Sequence, residues 1–235
     1  MSARRTGFTI VEVLVVCSII TLIISMLLPA ISKSRETAEA AICGSHMRQC
    51  GVAAQSYTDD SASKFPSAFN WVLHVTCWHD WHQPERIEQG LMFQKNYITE
   101  RNLFMCPTFL KTWKLGDRPP GICTEPVETI TPAYSYSMNA SVGWQGWAGY
   151  TWPKFEDIKK PVKTLFISEE ANWAVPPWGG VSINNAAIGK GADTVASYHF
   201  MGGTDFRSGK GNVCFFDLHV EIKHPSETNE MCAPQ

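Results

Sequence analysis

The chain has 235 residues, 44% of them hydrophobic, and its 20 basic and 22 acidic side chains leave a formal net charge of −2. Lys and Arg are scattered rather than clustered, so nucleic-acid binding has no electrostatic basis. Nine Trp, fourteen Pro and eight Cys point to a loop-rich domain that packs large rings, and about 200 residues outside the N-terminal apolar run suffice for one domain with its own core.

The first element is apolar. From Phe8 to Leu28 the only charged side chain is Glu12, and Pro29 follows. A run of this kind meets the roughly 20 residues a membrane-spanning helix needs. Arg4 and Arg5 lie just before it, and basic flanks tend to stay cytoplasmic. An ordinary signal peptide is a poor description, because Gly7 precedes the apolar run where a cleavage site would follow it. A carboxylate inside a span costs up to about 3 kcal/mol at mid-helix, so Glu12 calls for a partner.

Gly7-Phe8-Thr9-Ile10-Val11-Glu12 closely resembles the N-terminus of type IV pilins and of the pseudopilins of type II secretion. The resemblance implies cleavage by a prepilin peptidase between Gly7 and Phe8 and N-methylation of Phe8. It also implies that Glu12 pairs with the Phe8 amine of a neighbouring subunit during filament assembly. Opposite charges in a low-dielectric bundle attract far more strongly than in water. The implied location is the bacterial inner membrane, crossed once, with the C-terminal domain periplasmic or displayed on a surface filament.

Beyond Pro29 the helix is expected to continue to about Tyr57, with a kink allowed at the proline. Ile42 or Cys43, then Met47, Cys50, Ala54 and Tyr57, form one apolar stripe; Gly44 and Gly51 weaken it, and Asp59-Asp60-Ser61 ends it. The expected organisation is a leader over 1–7, a transmembrane half-helix over 8–28, an amphipathic half over 29–60 and a globular domain over 61–235. The fold class is α+β: a long helix packed on a small antiparallel sheet with long irregular loops.

The segment from Cys43 to Tyr57, with Asp59-Asp60 and Phe65-Pro66, is similar to prepilin-type proteins carrying a processing-associated C-terminal H-X9-DG domain. Phe104-Met-Cys106-Pro107 is similar to the Cys-Pro loop of that subfamily, and Tyr134 to Asn139 to its Tyr-x-Met-Asn segment. Between these, Ile87 to Tyr97 reads as a short helix. Residues 161–168, 194–200 and 212–223 read as strands, the last with a turn inside it. The subfamily motif maps onto His199, Gly202, Gly203 and Asp217, with two departures. Residues 204–211 are extra, and Leu218 stands where the motif has glycine. Asp-Gly at a hairpin tip favours a type I′ turn, in which leucine would be strained by about 1–2 kcal/mol.

Seven cysteines lie beyond the apolar run, an odd number, so at least one stays a thiol or pairs between chains. Cys43, Cys106 and Cys123 are disulfide candidates, and their spacing does not determine connectivity. Cys77, His79 and His82 have metal-ligand types at close spacing, but no second cluster pairs with them, and a Trp-rich loop is the plainer reading. Glu169 and Glu170 with His199, Asp205 and Asp217 offer carboxylate and imidazole groups, without a spacing that singles them out. Gly189-Lys-Gly191 lacks phosphate-loop spacing, no catalytic residues stand out, and no cofactor is implied. The expected role is a non-enzymatic filament subunit whose partners are a prepilin peptidase, sister subunits and the membrane. The alternative is a membrane-anchored binding module that presents some of its tryptophans to a glycan or protein.

Overall fold

The computed structural model describes residues 9–68, 71–72, 84–114, 134–142, 154–170, 187–189, 195–200, 208–228 and 231. The chain divides into two compact units, Met1–Ala38 and Glu39–Gln235. Helix α1, Ile10–Asp60, begins in the first and ends in the second, and passes through Pro29 without a break in helical structure.

In the first unit the large apolar side chains from Ile10 to Leu28 are exposed all round. Ser18, Thr21 and Ser25 fold their hydroxyls back onto the carbonyls of Leu14, Cys17 and Leu22 at 2.7–2.8 Å, so these polar groups demand no outside partner. The helix is long and apolar enough to cross a membrane.

In the second unit the same helix turns one face inward. Ala40, Cys43, Met47, Cys50, Ala54 and Thr58 are buried at spacings of three and four, the expected stripe. Cys43 rather than Ile42 faces the core, since Ile42 is 46% exposed. The two glycines of the helix leave room for side chains of the facing hairpin. A β-carbon on Gly44 would lie 3.3 Å from Val220 Cγ1, and one on Gly51 only 2.8 Å from Leu218 Cδ2.

Among the described residues five strands form one sheet in the order β3-β1-β2-β4-β5: β1 Tyr136–Asn139, β2 Leu165–Glu169, β3 Ala187–Ile188, β4 Gly211–Phe215 and β5 Val220–Lys223. The expected α+β architecture is present, with β1, β2, β4 and β5 joined antiparallel. The short β3 pairs parallel to β1, a mixed edge that the expected antiparallel sheet lacked. Strands β1, β2 and β4 are buried along their whole length because both faces are covered, and their polar residues Ser137, Asn139, Ser168, Glu169 and Asn212 are buried with the apolar ones. One face joins the α1 stripe through Tyr136, Met138, Ile167 and Cys214. The other gathers Leu165, Ile188, Val195, Val213 and Phe215. A bulge between Leu165 and Ile167 puts both Phe166 and Ile167 on the helix side, as bulges redirect side chains. Phe166 there stacks on Phe216 at 4.4 Å. Edge strand β5 carries Glu221 and Lys223, charges that discourage further strand pairing.

Three expected strands differ in detail. β2 begins at Leu165, because Lys160 accepts hydrogen bonds from the amides of Lys163 and Thr164 and holds Pro161 to Lys163 in a turn. Residues 195–199 make only isolated bridges, Val195 to Glu170 and His199 to Lys210, and Phe200 at φ 55° turns the chain away. The β4–β5 hairpin is not closed by a type I′ turn. The Leu218 amide donates to Phe215 O at 2.9 Å and the Phe215 amide to His219 O at 3.0 Å. Leu218 alone in the loop has positive φ, 68°. This is the three-residue loop made of a β-turn followed by one left-handed residue, and the leucine occupies the glycine position.

A second segment lies along α1. Short helix α2 covers Leu91–Gln94 and α3 covers Pro107–Lys114. The Cys-Pro stretch expected as a loop instead opens α3, with Pro107 at the first helical position where its missing N–H costs nothing. As α1 is followed backwards, its partners run forwards. Cys50 Sγ donates to Leu103 O at 3.7 Å and His46 Nδ1 approaches Met105 O at 3.4 Å. Cys43 is disulfide-bonded to Cys106, and Glu39 accepts from Thr108 and pairs with Lys111.

Candidate functional site

Two groups of residues bear on function, and each lies within one unit. At the start of α1, Thr9 and Glu12 form a reciprocal capping box. The Thr9 amide and hydroxyl both donate to Glu12 Oε2 at 2.8 Å, and the Glu12 amide donates to Thr9 Oγ1 at 3.3 Å. Thr-x-x-Glu was legible as a helix start, yet sequence reasoning assigned Glu12 only an inter-subunit partner. Within one chain its carboxylate already satisfies two donors at the helix start. Gly7 and Phe8 lie outside the described residues.

The second group is a buried polar cluster under the sheet. Glu169, the last residue of β2, places Oε1 2.9 Å from His199 Nε2, and both side chains are shut off from solvent. The Asn212 amide of β4 donates to Glu169 Oε2 at 2.7 Å, and Asn212 Nδ2 reaches Glu169 Oε1 and Ala40 O, each at 3.2 Å. The strand neighbour and the helix backbone thus hold the carboxylate in one orientation. Cys106 Sγ lies 3.5 Å from His199 Nε2, and the Cys106 amide donates to Ser135 Oγ at 2.7 Å. Next to this cluster Glu170 accepts from Ser137 Oγ. Burial, reinforced by Glu169, pushes the phenols of Tyr136 and Tyr198 well above the ordinary tyrosine range.

The motif residues therefore part company. His199 joins Glu169, whereas Asp217 pairs with His219 on the exposed hairpin. Gly202, Gly203, Asp205, Cys77, His79, His82 and Cys123 lie outside the described residues. Sequence reasoning considered Glu169 and Glu170 with His199, but it missed Asn212, which orients the carboxylate, and the approach of Cys106. Their contacting pairs lie 30 to 93 residues apart in the chain and carry no local signal. Cys50 and Cys214 are buried thiols. Burial, with Cys214 nearby, drives Cys50 far above the ordinary cysteine range, and burial with Asp217 pushes Cys214 up to about 12.

Residues 2–28 match the family described as the prokaryotic N-terminal methylation motif. The match spans Gly7, Phe8 and Glu12 and supports a prepilin-type, membrane-anchoring start to the chain. No curated protein and no solved structure matches the chain.

Proposed function

We propose that the protein is a prepilin-like structural subunit, cut after Gly7, N-methylated on Phe8 and assembled into a type IV pilus-like filament or a type II secretion pseudopilus. One observation carries this reading. A methylation motif opens a helix whose large apolar side chains from Ile10 to Leu28 are exposed on every side, with Glu12 as the sole charge in that run. A helix apolar all round is suited to lipid or to a bundle of like helices; the membrane supplies the first setting before assembly and a filament core of packed α1 segments the second. The partners are a prepilin peptidase, sister subunits and the inner membrane. The head from residue 61 onward lies outside the cytoplasm, a placement consistent with the Cys43–Cys106 disulfide, since disulfides persist in oxidising compartments. Cys43, Cys106, His199 and Asp217 favour the H-X9-DG subgroup, altered by Leu218 and by the insertion over 204–211.

Mass spectrometry of the protein recovered from membranes tests the reading. The expected N-terminus is N-methylated Phe8. An intact Met1, or a cut after residue 28, overturns it. A subunit that is processed but recovered only as a dispersed membrane protein would instead be an anchored binding module.

A further inference from the structure

Cys43 from α1, Cys106 from the residue before α3, Glu169 from the end of β2 and His199 from the bridge to Lys210 come from four separate segments. They bring two sulfurs, an imidazole nitrogen and a carboxylate oxygen within 4.8 Å of one another. All four residues are fully buried. Two thiolates, one imidazole and one carboxylate form a donor set that suits a borderline-soft, four-coordinate ion such as Zn2+, rather than Mg2+ or Ca2+. Bonds of about 2.0–2.3 Å to such an ion place tetrahedral ligands about 3.3–3.8 Å apart. Cys106 Sγ and His199 Nε2 already stand at 3.5 Å, within that range, while His199 Nε2 and Glu169 Oε1, hydrogen-bonded at 2.9 Å, would move slightly apart around the ion. The orienting shell typical of metal sites is also built. Asn212 holds the Glu169 carboxylate at both oxygens, and Ser135 holds the Cys106 backbone.

The disulfide and the ion are alternatives, because a sulfur pair bonded to itself has no thiolates to offer. We propose that Cys43, Cys106, Glu169 and His199 form a zinc-class metal site in the dithiol state of the head, and that oxidation exchanges the ion for the Cys43–Cys106 disulfide. Loading transfers no electrons. The two thiols release two protons, the imidazole carries its proton on Nδ1 so that Nε2 faces the ion, and the ionised carboxylate completes the set. Unloading is a two-electron step. A disulfide-bearing oxidant takes two electrons from the thiolates and two protons from solvent to become a dithiol, the S–S bond forms, and the ion leaves. The ion therefore holds the correct two of eight cysteines together until they are bonded. The same ion offsets the buried Glu169 carboxylate, a charge that burial leaves costly unless paired.

The test uses the full chain in detergent, with Co2+ as the spectroscopic probe and a phosphine as reductant. The oxidised chain is expected to take up no cobalt. The reduced chain takes up about one ion, with thiolate-to-cobalt charge-transfer bands and the intense visible bands of tetrahedral coordination. C43S/C106S abolishes these bands and C50S/C214S retains them. H199A and E169Q each weaken binding at least about tenfold. A reduced chain that has lost its near-ultraviolet circular dichroism regains it with an equivalent of Zn2+. Reoxidation with a small-molecule disulfide releases the ion in step with disulfide formation. The proposal is overturned if the reduced chain binds no cobalt or fails to refold with zinc. It is equally overturned if the bands survive in C43S/C106S or ignore both H199A and E169Q. None of these outcomes depends on whether the protein enters a filament.

Discussion

Leu218 Cδ2 occupies the space that a β-carbon on residue 51 would need, 2.8 Å from its ideal position. The leucine accepts a left-handed backbone at φ 68°, a strain of about 1–2 kcal/mol, and packs against the core beside Gly51. The two departures from ordinary expectation, glycine inside a helix and leucine at a glycine turn, are one feature.

Gly51→Ala sets the helix preference for alanine, about 1 kcal/mol, against displacement of a Leu218 terminal methyl, the far end of a flexible side chain, so its net effect should stay within about 1 kcal/mol. Leu218→Gly should come out within about 1 kcal/mol of the parent, relieved strain offsetting lost packing. In the G51A/L218G double variant the clash vanishes, so the coupling should exceed about 0.5 kcal/mol. Denaturant midpoints of the four proteins measure this; strict additivity would show that the two sites do not touch.

Glu12 serves two roles that substitutions can separate. Glu12→Gln keeps an oxygen to accept from Thr9 but removes the charge, while Thr9→Ala removes the hydroxyl of the capping box and keeps the charge. If inter-subunit pairing governs assembly, E12Q should abolish filaments and leave processing intact, whereas T9A should assemble with a helix start weakened by about 1 kcal/mol. Filament yield in sheared fractions distinguishes them, and equal loss in both variants would assign Glu12 to the cap alone.

The fold should be labile to alkali. Tyr136, Tyr198, Cys50 and Cys214 all ionise at higher pH in the folded chain than in the unfolded one. Their contribution to stability is present below the unfolded pKa values, roughly 8.5 for cysteine and 10 for tyrosine. It is lost as pH rises above them, since the unfolded chain then binds fewer protons. Denaturant midpoints should fall steadily above about pH 9, and the buried phenols should ionise only together with the loss of tertiary structure. Phenolate absorbance that rises smoothly while the fold stays intact would contradict this.

Cys50 and Cys214 should resist alkylation, because the thiolate is the reactive form and burial suppresses it. Under native conditions near pH 8, iodoacetamide should leave both unmodified, and denaturation should expose both to rapid labelling. Peptide mapping reads the result; prompt native labelling at either site would mean that the α1 stripe opens readily.

The long helix and its buried face were legible because the 3.6-residue period of Met47, Cys50 and Ala54 is a local signal. The choice between Ile42 and Cys43 was not, since both are apolar neighbours and only the sulfur's partner on the 103–111 segment decides it. The β4–β5 hairpin was legible from its alternating ends, but its turn type was not, because leucine stands at the left-handed position where glycine is the usual signal. The polar cluster was least legible of all. Glu169, His199 and Asn212 look like ordinary strand-end residues until β2, β4 and α1 converge, and what joins them is burial rather than spacing.

The antiparallel run of contacts from Cys50–Leu103 to Glu39–Lys111 has a mechanical meaning. Tension drawn along the axis of α1 meets these bonds side by side, in shear, and the Cys43–Cys106 crosslink carries it covalently into the segment that leads to α3. The 63-residue stretch of sequence that the crosslink closes is then spared the strain. The chain between residues 43 and 106 cannot be drawn out while the sulfur bridge is closed.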